Sequence, residues 1–319
     1  MFRNYSLIRN RGTVLQWAKH PARARLWKEV RFSPIPFIGI KLWDRTLRYI
    51  ASQNLPVVEC PYDWRQSLQD SARDIIGILR SSRKDSLPLE QDAPKDADCF
   101  NVITHSMGGL VLRTAIGMKI LHPSWIGKII HLAPPLQGSA AAFRCIVDRT
   151  TLPMLNEFLH LTHLRNFVSF KNMVFDVFRT FPSIYELMPP DNVQFLHNGS
   201  GQKLNPSAIP QIDSALFANA RMTHRYIALA DIILEQSNVH VEVVYTALNN
   251  GSETDFGYRY NQRTSSIDET IISHFGDGTV LSTSAASSLF ASNRAIEDLA
   301  HMKFPNSRHV VDLYPTCGV

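Results

Sequence analysis

From about residue 42 onward, stretches with apolar residues at three- and four-residue spacing alternate with short, nearly unbroken apolar runs. The first pattern belongs to helices with one buried stripe, the second to strands covered on both faces. LWDRTLRYIASQ (residues 42–53) and SLQDSARDIIGILRSS (67–82) predict amphipathic helices, and LPVVECPY (55–62) predicts a strand ended by Pro61. RKDSLPLEQDAPKDAD (83–98) is polar with two prolines and predicts an exposed loop. CFNVITH (99–105) then predicts a buried strand, MGGLVLRTAIGMKIL (107–121) a helix, and IGKIIHLAPP (126–135) a second strand closed by Pro134 and Pro135. Strand, helix and strand with short connections imply parallel strands with crossover helices, so the fold class is α/β.

Residues 139–235 break that rhythm with helical, aromatic-rich segments such as LPMLNEFLHLTHLRNFVSFKNMVFDVFRTF (152–181), which predict an insertion over the sheet. VHVEVVYTAL (239–248) resumes as a strand, NNGSETDFGYRYNQRTSS (249–266) reads as a loop, and FGDGTVLSTSA (275–285) as a turn-rich segment. A final strand is expected around RAIEDLA (294–300). The organisation that follows is a basic N-terminal segment over 1–40, a core formed by 41–138 and 236–319, and a helical cap over 139–235.

Composition narrows the class. With 319 residues, 45% hydrophobic and 19% charged, the chain can bury a large core, which excludes a disordered or fibrous protein. No run approaches the roughly 18 apolar residues that cross a bilayer, and the N-terminus lacks the apolar core of a secretory signal. An intracellular protein, soluble or peripheral to a membrane, is therefore expected. Cys60, Cys99, Cys145 and Cys317 stand far apart, with no metal-ligand spacing and no disulfide framework, so buried free thiols are expected. No pattern implies a metal or a cofactor. The sequons at Asn198 and Asn250 would matter only in a secreted chain.

The net charge of +5 is unevenly placed. Arg3, Arg9, Arg11, Lys19, Arg23, Arg25 and Lys28 face no acid before Glu29, which leaves the rest of the chain at −2. Such a start fits a mitochondrial presequence, a patch that meets anionic lipid heads, or simply a solvated surface segment around Trp17 and Trp27. No aromatic and basic repeat or reading-helix motif follows, so nucleic acid is not an expected partner.

The chemistry begins at Ser106. A serine nucleophile needs a sharp turn that lifts its oxygen out of the sheet, small residues where strand and helix crowd, and a helix N-terminus facing the developing charge. THSMG, between a predicted strand and a predicted helix, meets most of this, with Gly108 in place and Thr104 standing where GxSxG has its first glycine. A hydroxyl also needs a histidine to take its proton and an acid to orient that histidine. Asp277, between two glycines after the strand at 239–248, is the candidate acid, although glycines also favour a plain turn aspartate. His301 follows the expected final strand and is preferred as the base, with His309 as the alternative. The other histidines read as packing or surface residues.

PYDWRQS (61–67), HSMGGLVLR (105–113), APPLQGS (133–139), FPSIYELMP (181–189) and GDGTV (276–280) together, and in this order, resemble the lecithin:cholesterol acyltransferase family. The resemblance implies an α/β-hydrolase fold with a mostly parallel sheet and a cap, with nucleophile, acid and histidine at Ser106, Asp277 and His301. It also implies an acyl lipid ester as substrate and an acyl-enzyme passed to an alcohol or to water. In YDWR, Asp63 and Arg65 read as a pair across a turn beside a packed Trp64. The family's glycine-rich PGxxGS loop, which supplies one oxyanion donor, has no counterpart before Pro61, so the first-strand region is expected to be missing. The N–H of Met107 remains as a donor. Losing the other costs about 10²- to 10³-fold in turnover.

Three functions follow from these residues. The leading one is a serine-dependent O-acyltransferase or lipase/phospholipase acting on acyl lipids, with the aromatic stretch 158–181 covering the acyl chain or simply packing the cap. The others are a catalytically impaired, truncated relative that binds lipid or a partner, and a general carboxylesterase for small soluble esters.

Overall fold

The computed structural model describes residues 43–83, 88–95, 99–148, 177–249, 251–286 and 291–308, and the backbone of four short strands before them. These strands form two antiparallel pairs, β1 (Leu7–Arg9) with β2 (Leu15–Trp17) and β3 (Glu29–Arg31) with β4 (Gly39–Lys41). His309, Cys317 and residues 152–176 of the aromatic stretch lie outside the described residues.

The two amphipathic patterns become α1 (Asp44–Ser52) and α2 (Leu68–Ser82). Ser67 starts α2 by accepting the Asp70 N–H at 3.1 Å, a cap that contributes about 1 kcal/mol. Leu68, Ala72, Ile75, Ile76 and Leu79 then fall on one buried stripe. The apolar runs become β5 (Phe100–His105) and β6 (Ile126–Leu132), joined by α3 (Met107–Gly117). After them come α4 (Ala140–Val147), α5 (Pro182–Glu186), β7 (Leu196–His197), α6 (Ser214–Glu235) and β8 (His240–Leu248). The chain continues through β9 (Thr254–Asn261), β10 (Ser266–Ser273), α7 (Ser282–Ala285) and β11 (Ser292–Glu297) to a 3-10 helix, His301–Asn306.

The main sheet has the order β11-β8-β6-β5 and every pairing in it is parallel. The two central strands, β6 and β8, are buried on both faces over most of their length, which is why their sequences run largely apolar without alternating, whereas the edge strand β11 is mostly exposed. Ile129, Val241 and Val243 join the large core beneath α2, α3 and α6. Ile130, Leu132, Val244 and Ile296 turn to the other face and pack with Phe304, Leu299 and Trp43. Two helices on the first face are tied by charge as well as packing, for Arg113 of α3, fully buried, pairs with Asp231 of α6.

Several expectations need correction. Residues 55–62 form no strand. Among the described residues nothing pairs with the outer edge of β5, and an extended segment without a partner cannot satisfy its backbone as a ladder. Leu55, Val57 and Val58 are correspondingly exposed. Within the polar stretch 83–98, Leu89 is fully buried, and Trp125 anchors that turn by donating its ring N–H to the Gln91 carbonyl at 2.8 Å. The stretch read as a loop at 249–266 holds β9 and the start of β10, an antiparallel pair extended by β7 into a second sheet. Tyr258 and Tyr260 point inward from β9 onto Phe143 of α4, while Arg259 between them faces solvent. Of the thiols, Cys145 is buried, Cys60 half-buried and Cys99 exposed.

Glu186 closes the contact between α2, α5 and α6. Its carboxylate accepts the first N–H of α2, from Leu68, at 2.7 Å and the Thr223 hydroxyl at 2.6 Å. Burial raises this carboxyl from 4.5 to about 7, against the two hydrogen bonds, which favour its charge. Between those values the folded chain keeps a proton that the unfolded chain has released, so this contribution to stability is full below the lower value and lost as pH rises through the upper one. A displacement of this size corresponds to about 3 kcal/mol. Glu186→Gln is therefore expected to gain stability relative to the wild type as pH rises from 4.5 to 7, measured as the difference between their denaturant midpoints. Parallel curves for the two proteins would show that Glu186 does not titrate in this window.

Candidate active site

Ser106 links the end of β5 to the start of α3 with φ 53° and ψ −129°. A non-glycine residue there is strained, and such strain persists only where the surroundings enforce it. The Ser106 N–H donates to the Leu132 carbonyl of β6 at 2.9 Å, and the Ser106 carbonyl accepts the Gly109 N–H at 3.0 Å. The packing requires glycine at 109 more than at 108. A methyl group on Gly109 would lie 2.9 Å from Pro134 Cβ and 3.1 Å from His131 Nδ1, whereas one on Gly108 meets nothing nearer than 3.6 Å. Thr104 fits where the motif has glycine because its hydroxyl bonds His131 Nδ1 at 2.7 Å, so the buried side chain has a partner.

Asp277 lies in the turn before α7 and is 4% exposed. Its Oδ1 accepts the N–H groups of Val280 at 2.7 Å and Thr279 at 3.0 Å. Gly278, at φ +87°, allows the chain to fold back on the carboxylate in this way. The remaining oxygen, Oδ2, meets His301 Nδ1 at 2.7 Å.

His301 opens the 3-10 helix and is 3% exposed. A carboxylate oxygen can only accept, so Nδ1 carries the proton and Nε2 presents its lone pair. That Nε2 lies 2.8 Å from Ser106 Oγ. The structure thus brings together three residues separated by 24 and 195 positions in the chain. Met107 is the first residue of α3, and its N–H belongs to the helix turn that has no intrahelical acceptor.

The strand end contributes a residue whose role the sequence did not show. His105, read with the other histidines as a packing or surface residue, directs Nε2 to the His301 carbonyl at 2.9 Å. Its ring lies against that of His301, 4.9 Å between centroids, and meets Trp43 edge-on at 6.5 Å. Burial, reinforced by charge on His301, lowers its pKa to about 3. The pairing of Asp63 with Arg65 is present, at 2.7 Å to Arg65 Nε, and Trp64 packs on Phe178 and Phe181 with centroids 6.1 and 5.4 Å away.

The sequence matches the family model for lecithin:cholesterol acyltransferase over residues 47–233, more than half of the chain. The chain belongs to the lecithin:cholesterol acyltransferase family. The match makes it a member of the α/β-hydrolase superfamily and includes Ser106, while Asp277 and His301 fall beyond the matched residues. No curated protein matches the chain. Among solved structures, one titled "The crystal structure of Tle4-Tli4 complex" is similar at a TM-score of 0.46 and 12% identity, over 78% of this chain. The chain spans 65% of that protein's length. Among the described residues no helix is long and apolar enough to cross a membrane.

Proposed function

We propose that this member of the lecithin:cholesterol acyltransferase family cleaves acyl lipid esters through a covalent acyl-serine. The observation that carries this reading is the continuous hydrogen-bonded chain from Ser106 Oγ through His301 to Asp277 at 2.8 and 2.7 Å. Ser106 Oγ bonds the ester carbonyl carbon as its proton passes to His301 Nε2, and the Asp277 carboxylate holds the imidazolium. The carbonyl oxygen becomes an oxyanion facing the Met107 N–H at the start of α3. Collapse breaks the ester C–O bond, and His301 returns the proton to the departing alcohol. Water or an acceptor alcohol then repeats the sequence on the acyl-serine, which gives lipase/phospholipase or O-acyltransferase activity respectively.

The aromatic stretch 158–181, of which Phe178 and Phe181 are among the described residues, serves in this reading to cover the acyl chain. In support, Ser139 donates its hydroxyl to the Thr279 carbonyl at 2.9 Å, beside the acid, and the Phe178 and Phe181 rings build an apolar wall with Trp64. The substrate places the protein at a lipid surface, where the basic segment 1–40 would meet anionic head groups. That nothing among the described residues pairs with the outer edge of β5 supports a second reading, a relative that binds lipid or a partner without turning it over. A fluorophosphonate probe separates the two. Stoichiometric labelling that Ser106→Ala abolishes is expected, and a folded wild-type protein that never labels would refute the enzymatic reading.

A further inference from the structure

We infer that His105 is a positioning residue that sets the reach of the His301 imidazole to Ser106 by holding the His301 backbone from the nucleophile strand. This inference rests on the enzymatic reading of the site and extends it to a residue next to the nucleophile.

The His301 peptide is held on both sides by the chains that bear its two partners. Its N–H donates to the Asp277 carbonyl at 3.2 Å, and its carbonyl accepts His105 Nε2–H at 2.9 Å. A backbone carbonyl has no proton to give, so the tautomer of His105 is settled with hydrogen on Nε2. His105 is joined to Ser106 by one peptide bond, which closes a short ring. The ring runs from Ser106 Oγ to His301 Nε2, through the His301 backbone to its carbonyl, to His105 Nε2, and back along β5. Its two non-covalent links are 2.8 and 2.9 Å long. Any slide of the 3-10 helix along the end of the sheet strains both links at once.

The rest of the 3-10 helix is fixed from α1. The Thr46 hydroxyl, fully buried, donates to the Pro305 carbonyl at 2.5 Å, and the Arg45 N–H donates to Asn306 Oδ1 at 2.7 Å. Those bonds hold the far end of the helix, while His105 holds the end that carries the imidazole. A ring this close to that of His301, 4.9 Å between centroids, would oppose the imidazolium if it were itself charged. Burial keeps His105 neutral at every pH at which the site would work.

The test uses the inactivation kinetics of a long-chain alkyl fluorophosphonate on the whole chain, which separates the maximal rate constant kinact from the half-saturating concentration KI. Gln places an amide nitrogen the same number of bonds from the backbone as His Nε2, whereas Asn places one where Nδ1 stands, too short to reach. His105→Phe is expected to lower kinact about 10- to 100-fold, the scale of a misplaced catalytic group, with KI within about twofold. His105→Gln is expected to restore kinact to within about threefold of the wild type, and His105→Asn to stay as slow as His105→Phe. Should His105→Phe fail to fold, the Gln and Asn variants carry the comparison. Equal kinact for Gln and Asn, or a folded His105→Phe as fast as the wild type, would overturn the positioning role alone. A wild-type protein that never labels would overturn the enzymatic reading and this inference together.

Discussion

Replacing Ser106 by Ala is expected to remove hydrolysis and transfer of acyl lipid esters together, with a loss in kcat of about 10⁶-fold, as in enzymes whose serine, histidine and acid act as one unit. Both reactions would share the acyl-serine, so no acceptor, water or alcohol, would rescue the variant. The elbow itself is expected to survive, because its strain is held by backbone bonds, Ser106 N–H to the Leu132 carbonyl and Gly109 N–H to the Ser106 carbonyl, that Ala retains. Turnover of a chromogenic long-chain ester, alongside a thermal melt close to the wild type's, checks this. A folded Ser106→Ala protein that keeps a tenth or more of the activity would remove the serine from the mechanism.

Asp277→Asn is expected to cost about 10⁴-fold in kcat through the tautomer rather than the fold. The amide oxygen would keep accepting the Val280 and Thr279 N–H groups, as Oδ1 does now. Its NH₂ would then face His301 Nδ1, which would have to accept. That transfers the imidazole hydrogen to Nε2, where it points at Ser106 Oγ and cannot take the serine proton. Substrate binding is untouched by this change, so KM is expected to stay within about threefold while kcat falls. A loss below tenfold would show that the carboxylate does not orient His301.

How much of this could be read in advance follows from how local each signal is. Helix α2 is legible because Ser67 and the stripe from Leu68 to Leu79 lie within one short stretch, and β5, β6 and β8 are legible as short, mostly apolar runs. The β9–β10 pair was hidden by its solvent face, where Arg259 and other polar residues interrupt Tyr258 and Tyr260. The segment at 55–62 shows the reverse error, since its composition suits a strand but a strand also needs a neighbour. At the site, Ser106 and Asp277 announce themselves through adjacent glycines, and His301 through its place after the last strand. Thr104 and His105 do not, because their meaning lies in contacts to residues 27 and 196 positions away. Thr104 can stand in place of the motif's glycine because His131, distant in sequence, lies beside it and bonds its hydroxyl.

The most direct measurement is interception of the acyl-enzyme. The protein is mixed with a long-chain acyl lipid ester, quenched in acid within the first turnovers, digested, and analysed by mass spectrometry. An increment equal to the acyl group minus hydrogen on the peptide containing Ser106, absent from both Ser106→Ala and His301→Ala within the same turnovers, is the expected result. Steady turnover of the same ester with Ser106 unmodified at every time point would contradict a covalent serine mechanism.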